Sequence, residues 1–187
     1  LPQTEMWNYS ALTMKDESVE RVGINFGAPG DRLSKAGVLW LDYPNVGGTS
    51  PNVPVKLNVD KARWFQLHSA FVQGDGPAWV SASGLEGAGS LEVGVLNSTD
   101  VESVDRRYTV RLHFVEPTAV SAAQRSFDVQ LEGKDVLVDF DIFRESGGRN
   151  RSIVKEFEHV QVGQELEIAL KSRIGRPLIA GVEIVVE

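Results

Sequence analysis

The feature that most restricts the fold of this chain is a hydrophobic period of two residues. In VPVKLNV (residues 53–59) and RRYTVRLHFVE (residues 106–116), aliphatic or aromatic side chains alternate with polar ones. Successive side chains of a strand point to opposite faces, so this alternation predicts strands with one buried and one solvated face. The inward-facing positions that we expect are Val53, Val55, Leu57, Val59; Tyr108, Val110, Leu112, Phe114; Phe127, Val129, Leu131; Val136, Val138, Phe140, Ile142; Leu166, Ile168, Leu170; and Val182, Ile184, Val186.

Turns rich in glycine and proline separate these strands, as at residues 74–77, 84–89, 133–134, 147–148 and 175–177. We expect about ten strands and no amphipathic helix. Because each strand has a single apolar face, two sheets must bury those faces against each other. The sequence therefore predicts an all-β fold, an antiparallel β-sandwich of the jelly-roll kind.

The 187 residues of the chain suffice for one domain with a sizeable core. The first residues are polar and aperiodic, so we expect residues 1–21 to be a lead-in segment from an upstream domain. Residues 22–187 are expected to form the sandwich. Since the sequence begins with leucine and not with methionine, we also expect it to be a fragment of a longer protein.

Composition limits the partners of this chain. The net charge of -7 repels phosphate backbones, and no cluster of Lys or Arg offsets it, so nucleic acid is not an expected partner. There is no cysteine, which excludes disulfides and thiolate metal sites. No apolar run approaches the roughly 20 residues of a membrane span, so we expect no membrane insertion.

The segment SFDVQLEGKDVLVDFDIF (residues 126–143) is rich in acids and allows two interpretations. A hairpin turn at residues 132–135 and the alternation place these acids on outer strand faces: Asp128, Glu132, Asp135, Asp139 and Asp141. Same-face neighbours lie about 6.5 Å apart along a strand, which overlaps the carboxylate spacing of inverting glycosidases. A glycosidase also needs a carboxyl group in a desolvated pocket, and an open face offers none. We therefore expect a solvated face and no catalytic residue.

Other motifs for chemistry are incomplete. The three histidines are far apart, and we expect His113 to be a surface residue on the polar face of its strand. DFDIFRESGG begins like a calcium loop but has Arg144 where glycine is required. Other loops offer oxygen ligands for calcium near Asp31, Asp42 or Asp75, and no spacing singles one out. We predict no metal motif and no cofactor.

Several stretches, taken in order, resemble the malectin-like domain family. They are INFGAPGDR (24–32), YTVRLHFVEP (108–117), RSFDVQLEGKDVLVDFDIF (125–143), IVKEF (153–157) and LIAGVEIVV (178–186). The resemblance covers residues 22–187 and implies a β-sandwich of galactose-binding or malectin-like type, known as a non-enzymatic lectin for glucose oligosaccharides. It also implies an extracytoplasmic location: secreted, periplasmic or on the cell surface. The run LWLDYPNVGG (39–48) is similar to segments that follow repeat or enzymatic domains in large bacterial secreted proteins.

The family holds sugar with aromatic rings and an acid on loops at one end of the sandwich. The resemblance matches Asp42 and Tyr43 to the aspartate and tyrosine of its first long loop. The family's paired aromatics after LHFVEP are replaced here by TAVS (118–121), and its acid before the last strand by RIGRP (173–177). Other side chains near the strand ends offer a ring, an acid and a guanidinium instead. The carbohydrate-binding residues that we predict are Asp42, Tyr43, Trp79, Glu116 and Arg176.

Three hypotheses follow for the function. The first is a non-catalytic carbohydrate-binding module of a larger secreted or surface protein, which binds an oligosaccharide or polysaccharide at loops on one end of the sandwich. The alternative is a malectin-like scaffold or protein-interaction domain that has lost sugar binding, which the missing loop aromatics favour. The third, a glycosidase, rests on the acid-rich strands alone. For Trp79 the competing explanation is packing, because tryptophan side chains are mostly buried.

Overall fold

The computed structural model describes residues 13–15, 18–47, 50–95 and 106–187, which form two stacked β-sheets. The predicted all-β sandwich is confirmed. In chain order the strands are β1 (Thr13–Lys15), β2 (Ser18–Phe26), β3 (Arg32–Leu33), β4 (Leu39–Tyr43), β5 (Val55–Gln66), β6 (Gln73–Gly74), β7 (Ser83–Gly94), β8 (Arg106–Val115), β9 (Ser126–Leu131), β10 (Lys134–Phe140), β11 (Arg151–Val162), β12 (Glu165–Ile174), β13 (Leu178–Ile179) and β14 (Gly181–Val186). A 3-10 helix spans Ser69–Phe71, and helix α1 spans Ile142–Ser146.

The larger sheet has the strand order β3-β4-β2-β14-β8-β11-β6, with β1 paired to β2. The smaller sheet has the order β10-β9-β12-β7-β13, with β5 also paired to β7. Most pairs are antiparallel as predicted, while β2 with β4 and β6 with β11 run parallel. Both exceptions involve strands of the larger sheet.

The core lies between the two sheets and contains most of the predicted inward-facing residues. All four predicted positions of β8 are buried, and β9 and β12 contribute their predicted sets in the same way. In β14, Val182 and Ile184 are buried and Val186 is partly buried against the core. The buried residues that confirm the period of two are Tyr108, Val110, Leu112, Phe114, Phe127, Val129, Leu131, Leu166, Ile168, Leu170, Val182 and Ile184. Alternation over these strands therefore located the core correctly.

The prediction for β10 is wrong at Val138, while Phe140 is buried in the core as predicted. The register of β10 against β9 shifts between Asp135 and Leu137 and again between Leu137 and Phe140, which leaves Val138 61% exposed. Such bulges insert a residue and reverse the alternation that follows. Ile142 is buried in helix α1 and not in a strand.

Asp141 is also placed differently from the prediction. It is 2% exposed and caps helix α1, accepting hydrogen bonds from the Arg144 N–H at 3.0 Å and the Ala123 N–H at 2.6 Å. An aspartate before the first helical residue satisfies backbone donors that the helix leaves unpaired. The carboxylate of Asp141 therefore stabilises the start of helix α1 after β10 and does not lie on a solvated strand face.

The outer face of the larger sheet carries a second apolar layer around Trp40. A Cβ atom at Gly23 would lie 2.2 Å from Cδ2 of Trp40, so only glycine leaves space for this ring against the sheet. Val38, Val80 and Trp79 pack around the same indole. This layer fixes the segment that follows β3 and the segment that precedes β7.

The prediction of a surface His113 is wrong because this layer covers it. His113 lies on the outer face of β8 as expected, but its side chain is 2% exposed. Its ring packs edge-on against Trp40 with centroids 5.0 Å apart, and a Cβ at Gly76 would lie 3.0 Å from its Cε1. Alternation identifies the face of a strand, not what packs on that face.

Strand β2 begins at Ser18, before the expected domain start at residue 22, and Val19 is buried in the core. The sheet thus includes residues of the expected lead-in segment 1–21, while residues 1–12 lie outside the described residues. None of the helices in the described ranges has the length and apolar composition needed to span a bilayer.

Candidate functional site

A cleft at the rim of the sandwich, called the rim cleft below, lies where the segment after β2 meets the segment that links β5 to β7. Its volume is about 500 Å³, which is within the range of small-molecule sites. The cleft is lined by Asn25, Gly27, Ala28, Pro29, Gly30, Asp31, Arg32, Gln66, Leu67, His68, Ser69, Trp79, Ala82 and Ser83. It lies beyond the ends of strands from both sheets.

Backbone hydrogen bonds hold the walls of the rim cleft in place. The Gly27 N–H donates to the Tyr43 carbonyl at 2.7 Å, in a left-handed conformation with φ 73° that suits glycine. The Leu67 N–H donates to the Ala82 carbonyl at 2.6 Å, and the Gln66 side chain donates to the Gly27 carbonyl at 3.2 Å. The two walls are therefore joined to each other and to the sheets.

Aromatic rings stand around the rim cleft. Trp79 lines it directly, and Trp64 borders it, since a Cβ at Gly27 would lie 3.4 Å from Cε3 of Trp64. Trp64 is 39% exposed, and Phe71 is 69% exposed with its ring centroid 5.8 Å from that of the cleft residue His68. Exposed rings beside a concave polar surface are typical of ligand-binding sites.

Polar side chains contribute to the lining of the rim cleft. Asn25 is buried, and its Oδ1 accepts a hydrogen bond from the Ser83 hydroxyl at 3.3 Å. The guanidinium of Arg32 lies 4.7 Å from the centroid of the Trp79 ring, in cation–π geometry. The cleft thus presents amide, hydroxyl and guanidinium groups next to ring surfaces.

A second depression, called the sheet-face depression, lies on the outer face of the larger sheet and shares Arg32 and Trp79 with the rim cleft. Its volume is about 880 Å³. Arg111 lies in it and forms ion pairs with Glu156 and, at 3.1 Å, with Glu183. Trp79 and Arg32 therefore form a ridge between two adjoining concave surfaces.

His113 lines the sheet-face depression and is neutral near pH 7. Burial, and secondarily the positive charge of Arg111, lowers the pKa of His113 to about 4. Both ring nitrogens are buried without a hydrogen-bond partner in the described part of the chain. The ring therefore behaves as an apolar packing partner of Trp40 at neutral pH.

The structure does not bring the five predicted site residues together. Trp79 lines the rim cleft, whereas Asp42 and Tyr43 line a separate side pocket beside the segment that follows β4. Asp42 is 5% exposed, and half-buried Tyr43 packs its ring on Phe26 with centroids 6.0 Å apart. Asp42 and Tyr43 lie at the end of β4 and do not line the rim cleft.

Glu116 and Arg176 meet around Arg125, which sequence reasoning did not identify. Arg125 is buried and pairs with Glu116 at 2.6 Å and with Glu86 at 2.8 Å, and it also donates to the Arg176 carbonyl. Burial alone would raise the pKa of Glu116, but Arg125 and the N–H groups of Ala119 and Thr118 together lower it.

The guanidinium of Arg176 is exposed and donates to the Lys61 carbonyl at 3.2 Å. Glu116 and Arg176 therefore share a neighbour, while neither of them lines the rim cleft. Arg125 stands in a polar loop before β9, where nothing in the sequence distinguishes it from a surface cation.

The acids of the hairpin formed by β9 and β10 are mostly partnered by local groups. Asp128 accepts hydrogen bonds from Arg173 at 2.5 Å and from the Asp139 N–H at 2.7 Å, and the Gln130 amide donates to Asp135 at 2.7 Å. Asp139 itself is exposed. Within the described ranges, no group of three or more Asp, Glu, His or Cys residues is arranged to hold a metal ion.

Comparison with known proteins identifies related domains. Residues 102–182 match the family model of the malectin domain, which confirms the resemblance seen in the sequence. Receptor-like protein 4 of Arabidopsis thaliana is 34% identical over 90 residues, which are 46% of this chain and 14% of that protein. The chain therefore spans a small part of this curated relative.

Solved structures share the fold at low identity. The ANXUR2 extracellular domain from Arabidopsis thaliana has a TM-score of 0.63 and 17% identity, covering 89% of this chain and 48% of that chain. A β-glucuronidase of Bacteroides uniformis has a TM-score of 0.64 and 13% identity, covering 89% of this chain and 18% of that chain. The fold of this chain thus occurs as one part of larger chains, in a plant extracellular domain and in a bacterial enzyme.

Proposed function

Because this chain carries a malectin-like domain, we propose that it is a non-catalytic carbohydrate-binding module that holds a glycan in the rim cleft. The module is a part of a larger, extracytoplasmic protein. Its ligand is an oligosaccharide or a segment of a polysaccharide. Of the five residues predicted from the sequence, only Trp79 belongs to this site. Asn25, Gln66 and Phe71, which were not predicted, contact the glycan with it.

The observation that carries this proposal is a set of exposed rings around a polar cleft. Phe71 is 69% exposed on a 3-10 turn that the His68 side chain caps, so its ring is accessible to a ligand. Pyranose rings have apolar C–H faces that stack on aromatic rings. Trp79 lines the cleft, while Trp64 lies beside the lining residue Gly27 and Phe71 beside the lining residue His68. These rings are the surfaces on which we expect a pyranose to stack.

Polar groups of the rim cleft match the second requirement for sugar binding, which is hydrogen bonding to hydroxyls. A hydroxyl both donates and accepts, and so do the amides of Asn25 and Gln66. The amides are held in defined orientations by the Ser83 hydroxyl and the Gly27 carbonyl. Groups that are fixed before binding lose little entropy when the ligand arrives.

The adjoining sheet-face depression supports a ligand longer than one sugar unit. It shares Trp79 and Arg32 with the rim cleft, so a chain of sugars that crosses this ridge contacts both concave surfaces. Affinity is then expected to rise with oligosaccharide length. The extracytoplasmic location is supported by the ANXUR2 relative, which is an extracellular domain.

The proposal is tested by a broad glycan array followed by tryptophan-fluorescence titration with gluco-oligosaccharides of increasing length. Phe71→Ala is expected to weaken binding about 5- to 10-fold, since an aromatic contact contributes about 1 kcal/mol. Val138→Ala, which removes an exposed apolar group on the opposite edge strand, is the matched control and should leave the affinity unchanged. If wild type and Phe71→Ala bind every glycan with equal affinity, the glycan does not bind in the rim cleft.

A comparison of Phe71→Ala with Tyr43→Ala distinguishes the rim cleft from the site predicted by family resemblance. If Tyr43→Ala abolishes binding and Phe71→Ala does not, the ligand lies at the side pocket.

A second candidate function, a scaffold that has lost sugar binding, is favoured by one observation. Arg32 covers one face of the Trp79 ring, so that face is not free for a pyranose. If the wild type binds no glycan on the array, this alternative is supported.

A further inference from the structure

Asp42, at the end of β4, carries a buried oxygen atom that the fold leaves unsatisfied. Its side chain is 5% exposed, and Oδ2 accepts a hydrogen bond from the Val46 N–H at 2.9 Å. Oδ1 is fully buried and has no hydrogen-bond partner in the described part of the chain. A buried carboxylate oxygen without a partner is costly, which indicates that another group satisfies it.

A second carboxylate lies next to Asp42. Asp31 accepts a hydrogen bond from the Asp42 N–H at 2.9 Å through Oδ1 and from the Ser50 hydroxyl at 2.6 Å through Oδ2. Burial raises the pKa of Asp42, the Val46 N–H opposes this, and the neighbouring Asp31 raises it further. Two acids in contact therefore share a partly desolvated position.

The cations near this pair are engaged elsewhere. Lys56 is the one Lys or Arg among the described residues that line the side pocket, and its Nζ bonds Glu92 at 3.2 Å and Glu165 at 2.7 Å. Arg32 follows Asp31 in the chain, but its guanidinium stacks on Trp79. Neither of these side chains is thus placed to neutralise the two carboxylates.

The surroundings supply further oxygen donors. The side pocket has a volume of about 460 Å³ and is lined by Asn45, Ser50 and Asn52 together with Asp42. Carboxylates, amide carbonyls and hydroxyls are hard ligands, and calcium accepts six to eight of them in irregular geometry. We propose that Asp31 and Asp42 bind a calcium ion, with further oxygen ligands from Asn45, Ser50 and Asn52.

This site lies beside the rim cleft. Asp31 belongs to the wall of the rim cleft, so a calcium ion between Asp31 and Asp42 joins the segment after β2 to the segment after β4. The ion therefore stabilises the folded protein whether or not a glycan binds. The proposal does not depend on carbohydrate binding and is tested without a glycan.

The experiment is thermal unfolding of the whole chain after treatment with a chelator, followed by additions of calcium or magnesium chloride. Calcium sites of extracellular modules have dissociation constants of about 10⁻⁴ to 10⁻³ M. At 10 mM calcium the melting temperature should rise by about 3 to 6 °C, and magnesium should raise it by less. Asp42→Asn and Asp31→Asn should each remove the calcium response.

Asp60→Asn is the matched control, because Asp60 is an exposed aspartate on β5. It removes the same charge and should keep the full calcium response. The Asn side chain at position 42 still accepts from the Val46 N–H, so loss of the response there does not require misfolding. The proposal is overturned if calcium does not shift the wild type, or if all three variants respond equally.

A proton shared between Asp31 and Asp42 is the competing explanation of their contact. In that case chelated Asp42→Asn is at least as stable as the wild type, and calcium has no effect on either protein. That pair of results would also reject the calcium site.

Discussion

Acidification should destabilise this domain through His113, whose ring is buried between Trp40 and Gly76. The folded protein holds His113 neutral, with its pKa lowered to about 4, while an unfolded histidine has a pKa near 6.5. The unfolded chain therefore binds more protons between these two values. The stabilising contribution of His113 is complete above about pH 6.5 and is lost as the pH falls towards 4.

The size of the effect follows from the two pKa values. At pH 5 the unfolded histidine is almost fully protonated, whereas His113 in the folded protein is about one-tenth protonated. The free energy of unfolding should thus fall by about 2 kcal/mol between pH 7 and pH 5 from this residue alone. Solvent screens this effect little, because the His113 side chain is only 2% exposed.

The assay is urea unfolding of wild type and His113→Leu at several values between pH 7.5 and pH 5. Leucine fits a similar volume and does not titrate, so the variant should lose about 2 kcal/mol less than the wild type over this range. Contributions from other groups, such as the raised pKa of Asp42, are common to both proteins and cancel in the comparison. Parallel pH profiles would refute the assignment of a neutral, buried His113.

Two further predictions concern packing and a buried charge. Gly23→Ala should destabilise the domain by about 2 to 3 kcal/mol in urea unfolding, because the added Cβ would overlap the Trp40 ring. Gly133→Ala is the control: a Cβ there has no atom within 4 Å, so this variant should show only the smaller cost of its left-handed backbone conformation. Arg125→Met should cost about 3 to 5 kcal/mol, because it removes the only buried cation that pairs with Glu116 and Glu86 among the described residues. Glu116 then keeps only hydrogen bonds from Thr118 and Ala119, and Glu86 only the more distant, exposed Arg63 at 4.0 Å. A loss no larger than that of exposed Arg149→Met would show that the pairing contributes little.

The sandwich was predictable because its signal is local. In β8, β9 and β12 every second side chain enters the core, so the period of two reveals both the strands and their buried faces. The bulges of β10 were not predictable, since an inserted residue is set by pairing with β9 and not by hydrophobicity. The burial of His113 depends on segments far from it in the sequence.

The rim cleft was only partly predictable for the same reason. Trp79 was chosen as a ring near a loop, and it does line the cleft. Phe71 was not chosen, because the 3-10 turn that exposes it gives no periodic signal. Asp42 has the residue type expected of a sugar ligand, but its side chain is buried at the end of β4, where it accepts a hydrogen bond from the Val46 N–H. Residue type identified candidates, and tertiary contacts decided their surroundings.

The irregular strand β10 affects whether copies of this domain can associate through the edge of a sheet. It is an edge of the smaller sheet, and a straight edge strand would offer a row of free backbone groups to any neighbouring chain. Two register shifts and the left-handed backbone of Asp139 interrupt that row, and the charges of Lys134 and Asp135 repel an approaching apolar strand. Copies of this sandwich are therefore not expected to pair edge to edge through β10, even at high concentration.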